Sequence, residues 1–186
     1  MQRKSFVGND IVDLGDETAG RHPRFARRVL SDIEYNQFAS HRNSNVYLFK
    51  AWAAKEAVYK MLKQKKSNVG FSPCRYVFDE FKNEVTFENI VINVNFRETD
   101  QYIFCWCVEG TELVSHRIEI SSEWNQSNAV RRLAREYLAK VFSVKISEIK
   151  IVLDEFKIPL AYCGDNILPV SMSFSHHGQF VSISIA

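Results

Sequence analysis

Two hydrophobic rhythms alternate along the chain. Three segments repeat apolar residues at helical spacing. The first follows Ser31, with Glu34 three residues on, a capping-box pattern opening a segment with Ile33, Tyr35 and Phe38. The second runs over residues 46 to about 62, where Leu48, Trp52, Tyr59 and Leu62 form an apolar stripe. The third covers residues 126 to 142, with Val130, Leu133, Ala134, Tyr137, Leu138 and Val141 in register. Between and after them lie strand patterns. IVINVNF alternates through Ile92, Val94 and Phe96, and YIFCWCV is continuously apolar, as a buried strand is. EIKIVL follows the third helix, and the terminal FVSISI sets Val181, Ile183 and Ile185 against serines. This order predicts an α+β fold of two halves, about 1–110 and 111–186, with a cleft at their seam where a site can form.

Composition narrows the class. A chain of 186 residues suits one domain, or two small halves sharing a core. With 46% hydrophobic residues, 7 Gly and 4 Pro, long disorder is excluded. A net charge of +2 does not call for a nucleic-acid partner, and no aromatic-basic RNP-type motif is present. There is no N-terminal apolar leader and no membrane-length apolar run, so the expectation is a cytoplasmic protein without a membrane partner. Cys74, Cys105, Cys107 and Cys163 form no C-x-x-C pair and read as core thiols rather than metal ligands.

Three stretches carry candidate chemistry. In VGNDIVDL, Asp10 is followed by Ile11 and Val12, so it sits within a strand rather than among turn residues. A carboxylate there needs a cation or several hydrogen bonds. In AWAAKEAVYK, Glu56 and Lys60 lie four residues apart on one helical face. They are either an ordinary surface pair or groups that work on a substrate. Asp10 and Glu56 together would make a hard oxygen site of the kind Mg²⁺ prefers beside phosphate, with Lys60 as a point charge for that phosphate. The alternative is a structural salt bridge. In SFSHHGQF, Ser175 and His176 precede His177 and Gly178, offering hydroxyl, imidazole and backbone donors to an anion. No G-x-S-x-G elbow, P-loop or G-x-G-x-x-G is present.

Taken together, these stretches resemble the 4′-phosphopantetheinyl transferases, which carry G-(I/V)-D, forty-odd residues, then (F/W)-x-x-K-E-(A/S)-x-x-K. Here Gly8-Asn9-Asp10 precedes Trp52-Ala53-Ala54-Lys55-Glu56-Ala57-Val58-Tyr59-Lys60. The stretch between, RFARRVLSDIEYNQF, and the tail SFSHHG are also similar to the family. A C-terminal Ser-His element resembles the small holo-acyl-carrier-protein synthases, whose single-half chains build sites between protomers of a trimer. The length resembles the two-module type, with residues 126 to 160 similar to that type's first module placed last. Asn9 stands in place of Ile or Val, and Val12 where two-module enzymes have a third acid. The family's Gly-Lys-Pro element corresponds only loosely to Phe156-Lys157-Ile158-Pro159.

The resemblance implies transfer of 4′-phosphopantetheine from coenzyme A to a serine of an acyl or peptidyl carrier protein, in pathways such as fatty acid biosynthesis. It implies Mg²⁺ on Asp10 and Glu56, with Asp10, Glu56 and Lys60 catalytic. Coenzyme A would meet Lys60, Ser175, His176 and Lys157. The basic stretch with Arg24, Arg27 and Arg28 is either the docking face for an acidic carrier or a solvated surface, with Arg131, Arg132 and Arg135 a rival patch. A monomer with one site between its halves is expected, a trimer being the alternative. A coenzyme A or carrier-binding module with weak or lost turnover is the competing function.

Overall fold

The computed structural model describes residues 5–16, 24–66, 68–110 and 113–186. Strand β1 (Phe6–Asp13) leads to helices α1 (Phe25–Val29), α2 (Asp32–Ser40) and α3 (Ser44–Lys65). A meander of β2 (Tyr76–Asp79), β3 (Glu84–Phe87) and β4 (Ile90–Asn93) follows, then β5 (Asn95–Glu98) and β6 (Tyr102–Glu109). The rest of the chain repeats the plan. Strand β7 (Ser115–Ile120) leads to α4 (Gln126–Phe142), then to β8 (Ile149–Leu153), β9 (Pro159–Cys163) and β10 (Asn166–Ile167). Strands β11 (Met172–His177) and β12 (Phe180–Ile185) end it.

Sheet order repeats as well. The larger sheet of the first part is ordered β1-β6-β5, and that of the second β7-β12-β11. In each, the first strand pairs with the last, and the last with the one before it. Each part also holds a three-stranded antiparallel meander, β2-β3-β4 and β8-β9-β10. One hydrophobic cluster surrounds α3, with Ala51, Ala54, Ala57, Val58 and Met61 fully buried. A second surrounds α4 through Val130, Ala134 and Leu138. Between them Ile11 and Phe104 of the first sheet meet Phe180 of the second.

Three local patterns depart from the sequence reading. IVINVNF breaks at Val94 into β4 and β5, which belong to different sheets. Helix α2 has the expected capping box, but it exposes Ile33 and buries Glu34. In β12 all six residues are buried, the serines included. That strand is central in its sheet, and its serine face meets polar partners: Ser182 accepts from Asn9 Nδ2 at 3.1 Å, and Ser184 lies 2.8 Å from His116 Nδ1.

Candidate active site

The site begins where α3 crosses β1. A Cβ on Gly8 would lie 1.8 Å from the carbonyl oxygen of Ala57, so only glycine lets the helix backbone settle on the strand. That close approach carries the next turns of α3 over Asp10. Lys60 Nζ donates to Asp10 Oδ1 at 2.9 Å and to the Asn9 carbonyl at 3.0 Å. The Lys60 ammonium thus pairs with the strand carboxylate, not with Glu56 one turn away on its own helix. Asp10 is buried, and among the described residues its Oδ2 has no hydrogen-bond partner. Glu56 lies close by, its carboxyl pushed up to about 7. Burial is the main cause; the Lys60 charge opposes it and the Asp10 charge adds to it.

Among the described residues the outer edge of β1 has no strand partner, yet its N–H groups are satisfied. Asn9 N donates to Ser173 Oγ at 2.9 Å, Ile11 N to Ser175 Oγ at 3.1 Å, and Asp13 N to His177 Nδ1 at 3.1 Å. The period-two S-x-S-x-H of β11 therefore acts as a side-chain ladder along an edge that backbone pairing leaves open. Gln64 adds a rung, donating to the carbonyls of both Val7 and Met172. Past the ladder, Asp13 accepts from Gln179 N in the β11–β12 turn, where Gly178 has φ +53° and no room for a side chain against Asp13.

A cavity of about 290 Å³ opens beside Lys60. It takes Lys60 and Lys63 from α3, Arg131 from α4, Lys157 from the β8–β9 turn and His176 from β11. Among the described residues no carboxylate lines it. Its floor is apolar, through Val130, Leu153, Pro159 and Phe174. Lys157 occupies a left-handed conformation (φ +62°) in a turn ordered by Asp154, whose Oδ1 accepts from Phe156 N and Ile158 N. Loss of water, then the Lys60 charge, hold the His176 imidazole below its usual range. Such a pocket is built for a polyanion with an apolar portion.

Compared with protein families, residues 6–120 match the 4′-phosphopantetheinyl transferase superfamily. The chain belongs to that superfamily. Among curated proteins it is similar to a holo-[acyl-carrier-protein] synthase of Nitrosomonas eutropha, 28% identical over 131 residues, which cover 66% of this chain and 92% of the relative. It is also similar to a holo-[acyl-carrier-protein] synthase of Hydrogenovibrio crunogenus, 37% identical over 59 residues, 30% of this chain and 46% of that relative. The match to the transferase superfamily ends at β7, so α4, the β8–β9 turn and the β11 ladder lie beyond it.

The structure brings Asp10, Glu56 and Lys60 together, and sets Lys60, Lys157 and His176 on one cavity. Ser175 does not line that cavity; its hydroxyl is buried and donates to Asp10 Oδ1 at 2.6 Å. Arg24, Arg27 and Arg28 are exposed at and on α1, with the Arg27 guanidinium 3.4 Å above the Tyr35 ring. Arg21, His22 and Pro23 of the same stretch lie outside the described residues. The rival patch on α4 is not a free basic face. Arg131 turns into the cavity, and Arg132 bonds Glu119, Glu123 and Glu136.

Sequence reasoning missed the motif's first lysine. Lys55 is fully buried, donating at 2.7 Å to both Glu34 Oε2 and the Val29 carbonyl at the end of α1. Glu34 also accepts from Ser31 N and from Phe78 N of β2. The capping-box glutamate was the available signal, since its carboxylate already had a reason to face inward. Lys63 and Gln64 were legible too, standing three and four residues after Lys60 on the same helical face.

Proposed function

We propose that this chain transfers the 4′-phosphopantetheine group of coenzyme A to a serine of an acyl or peptidyl carrier protein. Supporting this most directly is the junction of the Asp10–Lys60–Glu56 cluster with a cavity lined by cations and, among the described residues, by no acid. Lys63, Arg131 and Lys157 hold the phosphates of coenzyme A, and the apolar floor takes its uncharged parts. The carrier serine attacks the β-phosphorus, the bond to the bridging oxygen breaks, and 3′,5′-ADP leaves with the bonding electrons. Lys60, between cluster and cavity, neutralises charge on that leaving group. Glu56, or a water that it holds, accepts the serine proton.

A divalent ion fits here. Asp10 presents a buried oxygen without a partner, Glu56 stands near enough to feel its charge, and both are hard oxygen donors. Among the described residues no third His, Cys, Asp or Glu joins them. When bound, Mg²⁺ would neutralise the pyrophosphate on both sides of the breaking bond.

In this reading Arg24, Arg27 and Arg28 dock the acidic carrier and steer its approach. The chain is one domain of two halves, about 1–110 and 111–186, and works as a cytoplasmic monomer. The recurring sheet order supports the division. Among the described residues no helix is long and apolar enough to cross a membrane. The test is intact-mass spectrometry of apo-carrier proteins incubated with the chain, coenzyme A and Mg²⁺. Gain of one phosphopantetheine on the carrier serine is expected. Binding of coenzyme A and carrier without any mass gain would leave only a binding module.

A further inference from the structure

We propose that Ser175 is a positioning residue for Asp10, and that it does not itself contact coenzyme A. The inference rests on the reading of Asp10 as a metal ligand. Ser175 stands beside His176, and the pair invites the view that both meet the phosphate-bearing substrate. The structure separates them. His176 points from β11 into the cavity, whereas Ser175 points the opposite way, as adjacent strand residues must.

Ser175 Oγ is committed on both sides. It accepts from Ile11 N at 3.1 Å, which leaves its single proton for Asp10 Oδ1 at 2.6 Å. Lys60 donates to that same Oδ1. Two donors from opposite halves of the chain therefore saturate one carboxylate oxygen and fix the plane of the group. The other oxygen, Oδ2, is buried and has no partner among the described residues. A buried carboxylate oxygen without a partner is costly unless something binds it, and a cation is the ligand that two fixed carboxylates suit. Ser175 holds the carboxylate in the rotamer that presents Oδ2. Its neighbour on the same strand face, Ser173, accepts from Asn9 N, lines the cavity and, among the described residues, makes no hydrogen bond to Asp10. Ser173 is thus an internal control with the same ladder role and no contact to Asp10.

Outer-shell partners of this kind typically contribute 10- to 100-fold to metal affinity. The test measures Mn²⁺ binding to the full chain by electron paramagnetic resonance, with calorimetry of coenzyme A binding in EDTA alongside. The variants are Ser175→Ala, Ser175→Thr, Ser173→Ala and Asp10→Ala. Expected for Ser175→Ala is Mn²⁺ affinity about tenfold or more below wild type, with metal-free coenzyme A affinity within twofold. Ser175→Thr should recover Mn²⁺ binding, and Ser173→Ala should retain it. Thermal melts establish that each variant is folded. Loss of metal-free coenzyme A binding in Ser175→Ala with Mn²⁺ affinity intact would overturn the proposal and make Ser175 a substrate contact. Equal loss in Ser173→Ala would also overturn it, since the ladder as a whole would then be responsible. If Asp10→Ala binds Mn²⁺ like wild type, the metal reading falls and this proposal with it. If Asp10→Ala loses Mn²⁺ and Ser175→Ala does not, only this proposal falls.

Discussion

At Glu56 the proposed role and stability pull in opposite directions. Its carboxyl is raised from 4.5 to about 7, so the folded protein holds the proton more tightly than the unfolded chain does. That contribution to stability is full below about pH 4.5 and is lost as pH rises through about 7. Glu56→Gln keeps the neutral form at every pH. In EDTA at pH 8 it should be more stable than wild type by about 1–3 kcal/mol, a discounted figure because the group is only partly buried and Lys60 offsets it. At pH 4 the difference should vanish, and transfer should be abolished throughout. Chemical denaturation at the two pH values checks this; equal stability at pH 8 would remove Glu56 from the buried cluster. Asp10→Ala should lower kcat by on the order of 10²–10³-fold or more while the protein stays folded, which circular dichroism and steady-state kinetics together establish.

Helix α3 carries three tasks along its length. Its C-terminal end gives Lys60, Lys63 and Gln64 to the cavity and the ladder, its middle gives Glu56, and Lys55 points away into the pair with Glu34. Burial draws the Lys55 ammonium below its ordinary value while Glu34 opposes, so the pair is stable only as a pair. Lys55→Met should destabilise by about 3–5 kcal/mol because it strands a buried carboxylate. Adding Glu34→Gln should recover part of that loss, since it removes the stranded charge while its one amide oxygen keeps one of the two bonds that Glu34 accepts from Ser31 N and Phe78 N. Urea melts of the two variants decide it. A double variant no more stable than Lys55→Met would argue against the stranded charge. Reversing charge at Arg24, Arg27 and Arg28 should raise KM for the carrier at low salt and leave coenzyme A binding unchanged. Unchanged carrier kinetics would place docking elsewhere.

For the molecule as a whole, periodicity gave the helices well and the strands less completely. Helix α4 is long and buries one face, so its spacing is visible; α3 is legible through its length and apolar stripe, although no residue from 46 to 64 is exposed. FVSISI misled because β12 is buried on both faces and its serines meet Asn9 and His116 rather than water. The Asp10, Glu56 and Lys60 constellation was legible because motif spacing encodes a strand crossing a helix. The cavity's Arg131 was not: read alone, α4 shows an arginine-rich surface, and only the fold decides which arginine faces inward. Nor does sequence order reveal that the S-x-S-x-H of β11 ladders onto β1 at the other end of the chain. The two walls of the site come from opposite halves, and in the proposed reading a single chain supplies both. Its most direct test is turnover by an equimolar mixture of Asp10→Ala with an Arg131→Glu, Lys157→Glu double variant, each inactive alone, read by mass gain on the apo-carrier. The mixture should stay inactive and wild type should run at the mass of one chain; recovery of activity in the mixture would show sites shared between chains and rule out the single-chain site.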